Sequence, residues 1–454
     1  MRVLKFGGTS VGTAERIRTL ITLIPSDKPV MVVLSAMAGT TNALVEIANI
    51  AAGGKGSKAT ELVKRMRYNY SLVTQELYES AETRVKANGF TKGIFTEIEN
   101  ILTLSVGVKE ERQLLAYGEI LSTNLFYLLL QEQGIASTLL NAVDFMRIDK
   151  DGEPIMHRIA EKLNWEIQAS ASQGIFITQG FICRNADGEI DNLNRGGSDY
   201  TAAIIGNAID AQEVQIWTDI DGFHNNDPRF VSNTRPIRQL SFDEAAELAY
   251  FGAKILHPAT IHPCRIKNIP VLLKNTLEPS NPGTLINATY SAVNIKAVAA
   301  KDAITAIKIR SSRMLMAHGF LKKVFDIFDT YKTPVDMITT SEVAVSLTID
   351  NAERLADIVR ELEKFSTVEA DMNQTIICIV GDFVAEKPGV AVQIFNALRD
   401  IPLRMISYGG SSHNISLLVR QEEKIATLQA IQLALNVTQP QPSESVEGYE
   451  LQCN

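Results

Sequence analysis

The sequence predicts an α/β protein: an open, mainly parallel sheet sandwiched by helices, followed by two small strand-and-helix modules. Three observations carry this reading. Short apolar runs at Arg2–Phe6, Val30–Leu34, 174–180 and 213–217 suit strands buried on both faces. Turns rich in glycine or hydroxyls follow these runs, and helical periodicity resumes beyond them. The last third of the chain contains an internal repeat: 319–325 (GFLKKVF) matches 389–395 (GVAVQIF), and 335–338 (VDMI) matches 403–406 (LRMI).

The opening residues set the pattern. After the strand at Arg2–Phe6 come Gly7, Gly8, Thr9, Ser10 and Gly12, then a helix with Thr13 as N-cap and an apolar stripe of Ile17, Leu20, Ile21 and Ile24. Such a loop can offer backbone N–H groups to an anion, and Lys5 adds a positive charge. From this loop alone, a plain tight turn with a solvated lysine is an equally good reading. The arrangement recurs at Val30–Leu34, whose turn 35–42 (SAMAGTTN) leads into a helix. In open α/β sheets, ligands gather beyond the carboxyl ends of strands, where both turns fall.

Residues 55–105 read as a helical excursion, a lid or a subunit contact. A long helix over 108–133 stops at Gly134, a C′ glycine. It carries Glu119 among apolar neighbours, and Gly118, costly in mid-helix, implies a close approach. Asn194-Arg195-Gly196-Gly197-Ser198-Asp199 opens another helix, and Arg195 can grip a carboxylate with two bonds. The strand at 213–217 ends in Thr218-Asp219, and 221–229 is a polar loop. Ser241 and Glu244 form a capping box, and 252–258 breaks and restarts the helical pattern. His257 and His262 lack an acidic partner and read as core or capping histidines rather than a zinc site. The Pro/Gly cluster at 278–284 marks a boundary. The expected domains are 1–285, 300–375 and 376–437, with 438–454 as a flexible tail.

A chain of 454 residues implies roughly three domains. With 45% hydrophobic and 21% charged residues it has the makings of a sizeable core, and a net charge of −8 argues against a broad nucleic-acid surface. The start MRVLKFGG lacks a signal-peptide pattern, and no apolar run reaches the ~20 residues of a membrane span. Cys183, Cys264, Cys378 and Cys453 are scattered without metal-ligand spacing, as for inert thiols in a reducing cytoplasm.

Taken together, LKFGGTSV, RGGSDYTAA, WTD…DPR, FGAKILHP and MITTSEV resemble the aspartate kinase family. The resemblance implies an amino-acid-kinase fold followed by two ferredoxin-like ACT modules, and a chain without the fused homoserine dehydrogenase of some relatives. It implies transfer of the ATP γ-phosphoryl group, with Mg²⁺, to the side-chain carboxylate of L-aspartate, the entry step toward lysine, threonine and methionine. That carboxylate, with a reference pKa of ~3.9, needs no general base, so positioning and charge stabilisation must carry catalysis. By resemblance, Lys5, Gly7, Gly8 and Ser10 cradle the phosphates, with Lys5 stabilising the transferred group and Asp199 organising Lys5 or the metal. Thr218, Asp219, Arg229, Lys254 and Ile255 surround the nucleotide; Thr41, Glu119, Arg195, Gly196 and Ser198 hold aspartate, with Glu119 on its ammonium. No metal site belongs to the chain itself.

The first ACT module offers Met314, Gly319, Phe320, Leu321, Asp336, Thr340, Ser341 and Glu342 to an effector. Asp336 and Glu342 favour lysine, with threonine the rival and an insensitive enzyme a further alternative. Pairing of ACT modules across subunits implies a homodimer. Two departures from the family pattern stand out: His224 where a nucleotide-site tyrosine is common, and Ala317 where the effector motif often has serine. The alternatives are a sibling kinase acting on acetylglutamate or UMP and a non-catalytic amino-acid sensor. No GxGxxG follows a strand, and 53–56 (GGKG) lacks the Ser/Thr of a P-loop.

Overall fold

The computed structural model describes residues 1–26, 29–170, 174–193, 196–252, 256–290, 295–311, 318–381 and 389–438. The chain forms two units, Met1–Phe223 with Pro236–Ser291, and His224–Arg235 with Ala292–Asn454.

In the first unit the strands are β1 (Arg2–Phe6), β2 (Val30–Leu34), β3 (Ser137–Leu140), β4 (Ile175–Gln179), a separate ribbon of β5 (Ile182–Arg184) and β6 (Ile190–Asn192), then β7 (Val214–Thr218), β8 (Gln239–Ser241), β9 (Val271–Asn275) and β10 (Thr284–Asn287). The eight-stranded sheet has the order β3-β4-β2-β1-β7-β9-β10-β8. Only the β9–β10 pairing is antiparallel, so the sheet is mainly parallel, as expected. The helices are α1 (Ala14–Leu23), α2 (Thr40–Ala52), α3 (Gly56–Leu77), α4 (Ala81–Ile101), α5 (Val108–Glu132), α6 (Ala142–Phe145), α7 (Met156–Ala169), α8 (Gly197–Ala208), α9 (Phe242–Tyr250) and α10 (His262–Ile266).

Alternation along β1 sorts its side chains. Leu4 and Phe6 enter an apolar layer shared with α1 to α5, whereas Lys5 meets Asp199 of α8. Thr13 caps α1 by accepting from the Arg16 N–H at 3.2 Å, and Ile17 and Leu20 are buried behind it. The excursion at 55–105 is helical, but it is no loose lid. Val63, Tyr70 and Leu77 of α3, with Phe95 and Ile98 of α4, pack in the same core as Leu4 and Phe6. Its amphipathic faces make it a wall of the first unit. The long helix ends as read, with Gly134 at φ 70° just after the Gln133 C-cap. The Ser241–Glu244 capping box closes with bonds of 2.8 and 3.2 Å, and His257 caps the short helix after it, its Nδ1 accepting from the Ala259 N–H.

The second unit contains β11 (Ala297–Arg310), α11 (Phe320–Thr330), β12 (Ile338–Thr340), β13 (Ala344–Ile349), α12 (Leu355–Glu363), β14 (Thr367–Val380), α13 (Val390–Ala397), β15 (Met405–Ser407), β16 (Asn414–Arg420) and α14 (Lys424–Thr438). One antiparallel sheet, β12-β13-β11-β14-β16-β15, serves both modules. The repeat is visible in it: Gly319 and Gly389 sit at equivalent N-caps, and β12–β13 matches β15–β16. Two features cut across the divisions expected from sequence. Phe230 and Val231 pack in the core of the second unit, drawing residues 224–235 into it. The expected boundary at 375/376 falls inside β14, because β11 and β14 run unbroken through both halves of the sheet. The expected tail beyond Thr438 lies outside the described residues.

Candidate active site

Phe6, Leu34, Gln179 and Trp217 lie side by side near the carboxyl ends of four parallel strands. Over this edge opens a cleft of about 290 Å³, lined by Gly8, residues 35–39, Thr41, Asn42, Glu119, Phe181, Gly197 and Ser198. Two helices begin there. Gly39 is the N-cap of α2 and Gly196 that of α8, so no capping side chain covers either set of first-turn amides. Gly196 is required twice over: it sits at φ 61°, and a Cβ on it would collide with Thr260.

Lys5 is buried, and its Nζ lies 2.6 Å from Oδ1 of Asp199 in the first turn of α8. This contact fixes the third glycine-rich loop beside the first. The first loop spends much of its backbone on itself. The Gly7 N–H donates to the Trp217 carbonyl at 3.1 Å, those of Ser10 and Val11 donate to the Gly7 carbonyl, and that of Gly12 donates to Thr9. The anion cradle expected from the sequence therefore narrows to Lys5 with the amides of Gly8 and Thr9. Ser10 is engaged too, its hydroxyl 2.6 Å from that of Thr276, which in turn donates to the Thr218 carbonyl at 2.9 Å.

Glu119 is 3% exposed on α5. Burial pushes its carboxyl up to about 8, against the opposing pull of the Ala36 N–H, its own N–H and the Lys5 charge. Its Oε2 has no hydrogen-bond partner among the described residues. A buried carboxylate with an open oxygen, facing a cleft, is built to receive a cation. Gly118 lets this helix come close: a Cβ on it would stand 2.8 Å from the Ala36 Cβ and 3.4 Å from the Thr40 methyl.

Of the residues expected to hold aspartate, the cleft gathers Thr41, Glu119 and Ser198, with Gly196 capping the adjoining helix. Arg195 lies outside the described residues, as do Lys254 and Ile255. Thr218 and Asp219 stand at the end of β7, their side chains 3.2 Å apart. Arg229 belongs to the second unit and forms a two-pronged contact with Asp227, closing to 2.6 Å. His224 lies in the same segment, 3.4 Å from the Thr234 hydroxyl.

In the first ACT module Gly319 caps α11, Phe320 packs edge-on against Phe365, and Leu321 is partly exposed. Thr340, Ser341 and Glu342 are exposed at the β12–β13 turn. Asp336 is buried and paired with Lys301 at 2.8 Å, and Lys301 also reaches Asp350 at 2.9 Å. Met314 and Ala317 lie outside the described residues. The sequence reading missed Phe181, Asn42, Thr276 and Lys301. Phe181 had a signal in its place directly after a strand-ending glycine, and Asn42 in its place at the end of the turn 35–42; Thr276 and Lys301 bear no local motif. Among the described residues no cluster of His, Cys, Asp or Glu could hold a metal ion, and no helix is long and apolar enough to cross a membrane.

Residues 1–275 match the model of the amino acid kinase family, and residues 377–435 match an ACT domain model. Lysine-sensitive aspartokinase 3 of Escherichia coli K12 is 34% identical over 442 residues, covering 94% of this chain and 98% of that one. Two crystal structures of E. coli aspartokinase III each cover 96% of this chain and 99% of theirs at 33% identity. The complex with aspartate and ADP superposes with a TM-score of 0.81, and the complex with lysine and aspartate with 0.79.

Proposed function

The chain belongs to the aspartokinase family, and we propose that its cleft transfers the γ-phosphoryl group of MgATP to the side-chain carboxylate of L-aspartate. A carboxylate oxygen attacks the γ-phosphorus, the bond to the β-phosphate oxygen breaks, and ADP leaves with that electron pair. The observation that carries the reading is the pairing of opposite demands at one edge of the sheet. Lys5, braced by Asp199, and two uncapped helix N-termini face anions, while the open oxygen of Glu119 faces a cation. Aspartate is a ligand with both needs. Glu119 takes its ammonium; Thr41, Ser198, the α8 amides and Arg195 take its carboxylates. Lys5 and the amides of Gly8 and Thr9 meet the transferred phosphoryl group, and Thr218, Asp219, Lys254 and Ile255 surround the nucleotide. Mg²⁺ arrives with ATP as part of the substrate.

Residues 1–285 form the catalytic domain in this reading, and 300–375 and 376–437 are regulatory modules binding lysine, with threonine the rival, in a cytoplasmic homodimer. The likeness to a relative named for lysine sensitivity supports that choice. The test is ADP release coupled to trapping of the acyl phosphate as a hydroxamate. Both signals should require L-aspartate, and neither acetylglutamate nor UMP should replace it. ATP turnover indifferent to aspartate would overturn the assignment.

A further inference from the structure

We infer that Tyr70 is a positioning residue for aspartate, acting through Thr40. The inference deepens the proposed function and rests on its assignment of the cleft to aspartate. Tyr70 lies on α3, in the segment that carries no sequence motif, and is buried with its ring edge-on to Phe95 at 5.7 Å. Its hydroxyl is 2.9 Å from that of Thr40, the first residue of α2. Thr40 is held on a second side as well, because the missing side chain of Gly118 lets its methyl lie against α5 one residue before Glu119.

Thr40 is thus clamped between α3 and α5, and it does not line the cleft itself. The next residue, Thr41, does, and so do Gly39 and Asn42. Gly39 supplies no capping side chain and sits at φ 82°, so the orientation of this helix start depends on what grips Thr40. Tyr70 supplies the side-chain hydrogen bond in that grip, beside the backbone bond from the Thr40 N–H to the Met37 carbonyl. Deleting either hydroxyl leaves the other buried without this bond and frees the first turn of α2 to shift. A shift there moves Thr41 relative to Glu119 on α5 and so displaces the aspartate subsite first, the first glycine loop being reached only through the Ala38 N–H on the Gly8 carbonyl.

The test measures kcat, the KM for aspartate, the KM for ATP and Tm in Tyr70→Phe, Thr40→Val, the double variant and Glu119→Gln. Tyr70→Phe and Thr40→Val should each raise the aspartate KM about five- to twentyfold, with the ATP KM within about twofold of wild type. The double variant should be no worse than the poorer single, since both remove one bond. Three results would overturn the inference alone: an aspartate KM unchanged in both single variants while Glu119→Gln raises it, effects that add in the double, or an equal rise in both KM values. An aspartate KM indifferent to Glu119→Gln would overturn the cleft assignment together with the inference. Thr40→Val keeps the question open to refutation if the Tyr70 variant folds poorly.

Discussion

Lys5 and Glu119 lie close enough for the Lys5 charge to act on the Glu119 carboxyl, and each predicts a different kinetic defect. In the proposed function Lys5 meets the transferred group, so Lys5→Ala should lower kcat at least a hundredfold, a loss of about 3–4 kcal/mol of transition-state stabilisation. Turnover near wild type in that variant would remove Lys5 from the mechanism. Glu119 predicts a pH effect. With its carboxyl at about 8 it is largely neutral at pH 7 and must ionise to hold an ammonium. The aspartate KM should therefore fall as pH rises toward 8, and Glu119→Gln should flatten the profile. Stability runs the other way. Folding raises this carboxyl above its unfolded value near ~4.5, so the native state binds the extra proton between the two values, and stability declines with rising pH across that window. Glu119→Gln should raise Tm, and by more at pH 8.5 than at pH 5.5. A thermal shift the same at both pH values would contradict the buried, raised carboxyl.

Helix α5 shows how an element can carry a site into place through what it lacks. Its Gly118 looks like a defect, since glycine in mid-helix costs ~1 kcal/mol against alanine. The structure inverts that argument, because a Cβ would stand 2.8 Å from the Ala36 Cβ across the cleft wall. Gly118→Ala should thus destabilise by about 1–3 kcal/mol despite its better helix propensity, and should raise the aspartate KM. Calorimetry showing a stabilised variant would refute this packing argument. The same helix marks how far the sequence was legible. The close approach at Gly118 could be read, as could the strand–loop–helix units, the capping box and the repeated modules, because each is a local pattern. Tyr70 and Thr276 could not, since their meaning lies in contacts 30 and 266 residues away along the chain. Helix α14 also escaped: Leu428, Ile431 and Leu435 form its buried stripe, but exposed Ile425 and Leu433 blur the period. Gly7 and Ser10 read as part of an anion cradle, whereas the bond of the Gly7 amide to the Trp217 carbonyl and that of the Ser10 hydroxyl to Thr276 are tertiary facts.

At the scale of the whole chain, three consecutive residues of β11 join Asp336, the carboxylate proposed to meet the effector, to the segment that carries Arg229. The register of β11 against β14 slips between Lys301 and Ile304, with Ala303 at φ 61°. On one side of the slip Lys301 pairs with Asp336 and Asp350. Burial pulls its ammonium down, and the two carboxylates more than reverse this, so it is held above its ordinary value. Next to it Asp302 meets Lys424 at 2.6 Å, and the Lys424 ammonium lies 4.3 Å over the ring of Phe230. Phe230 belongs to residues 224–235, where the chain leaves the first unit after Phe223 and returns at Pro236. An effector that competes for Asp336 must contend with Lys301, and inhibition requires only that it bind one arrangement of this bulge better than another. Lys301→Met should therefore raise the effector concentration for half-inhibition at least tenfold while unliganded kcat stays within about twofold. It should also lower Tm, because the ion pair with the buried Asp336 side chain is lost. Adding Asp336→Asn should recover that stability without restoring inhibition. Titrations with lysine and with threonine decide the matter: a half-inhibition point unmoved in Lys301→Met would mean that the effector signal bypasses the bulge.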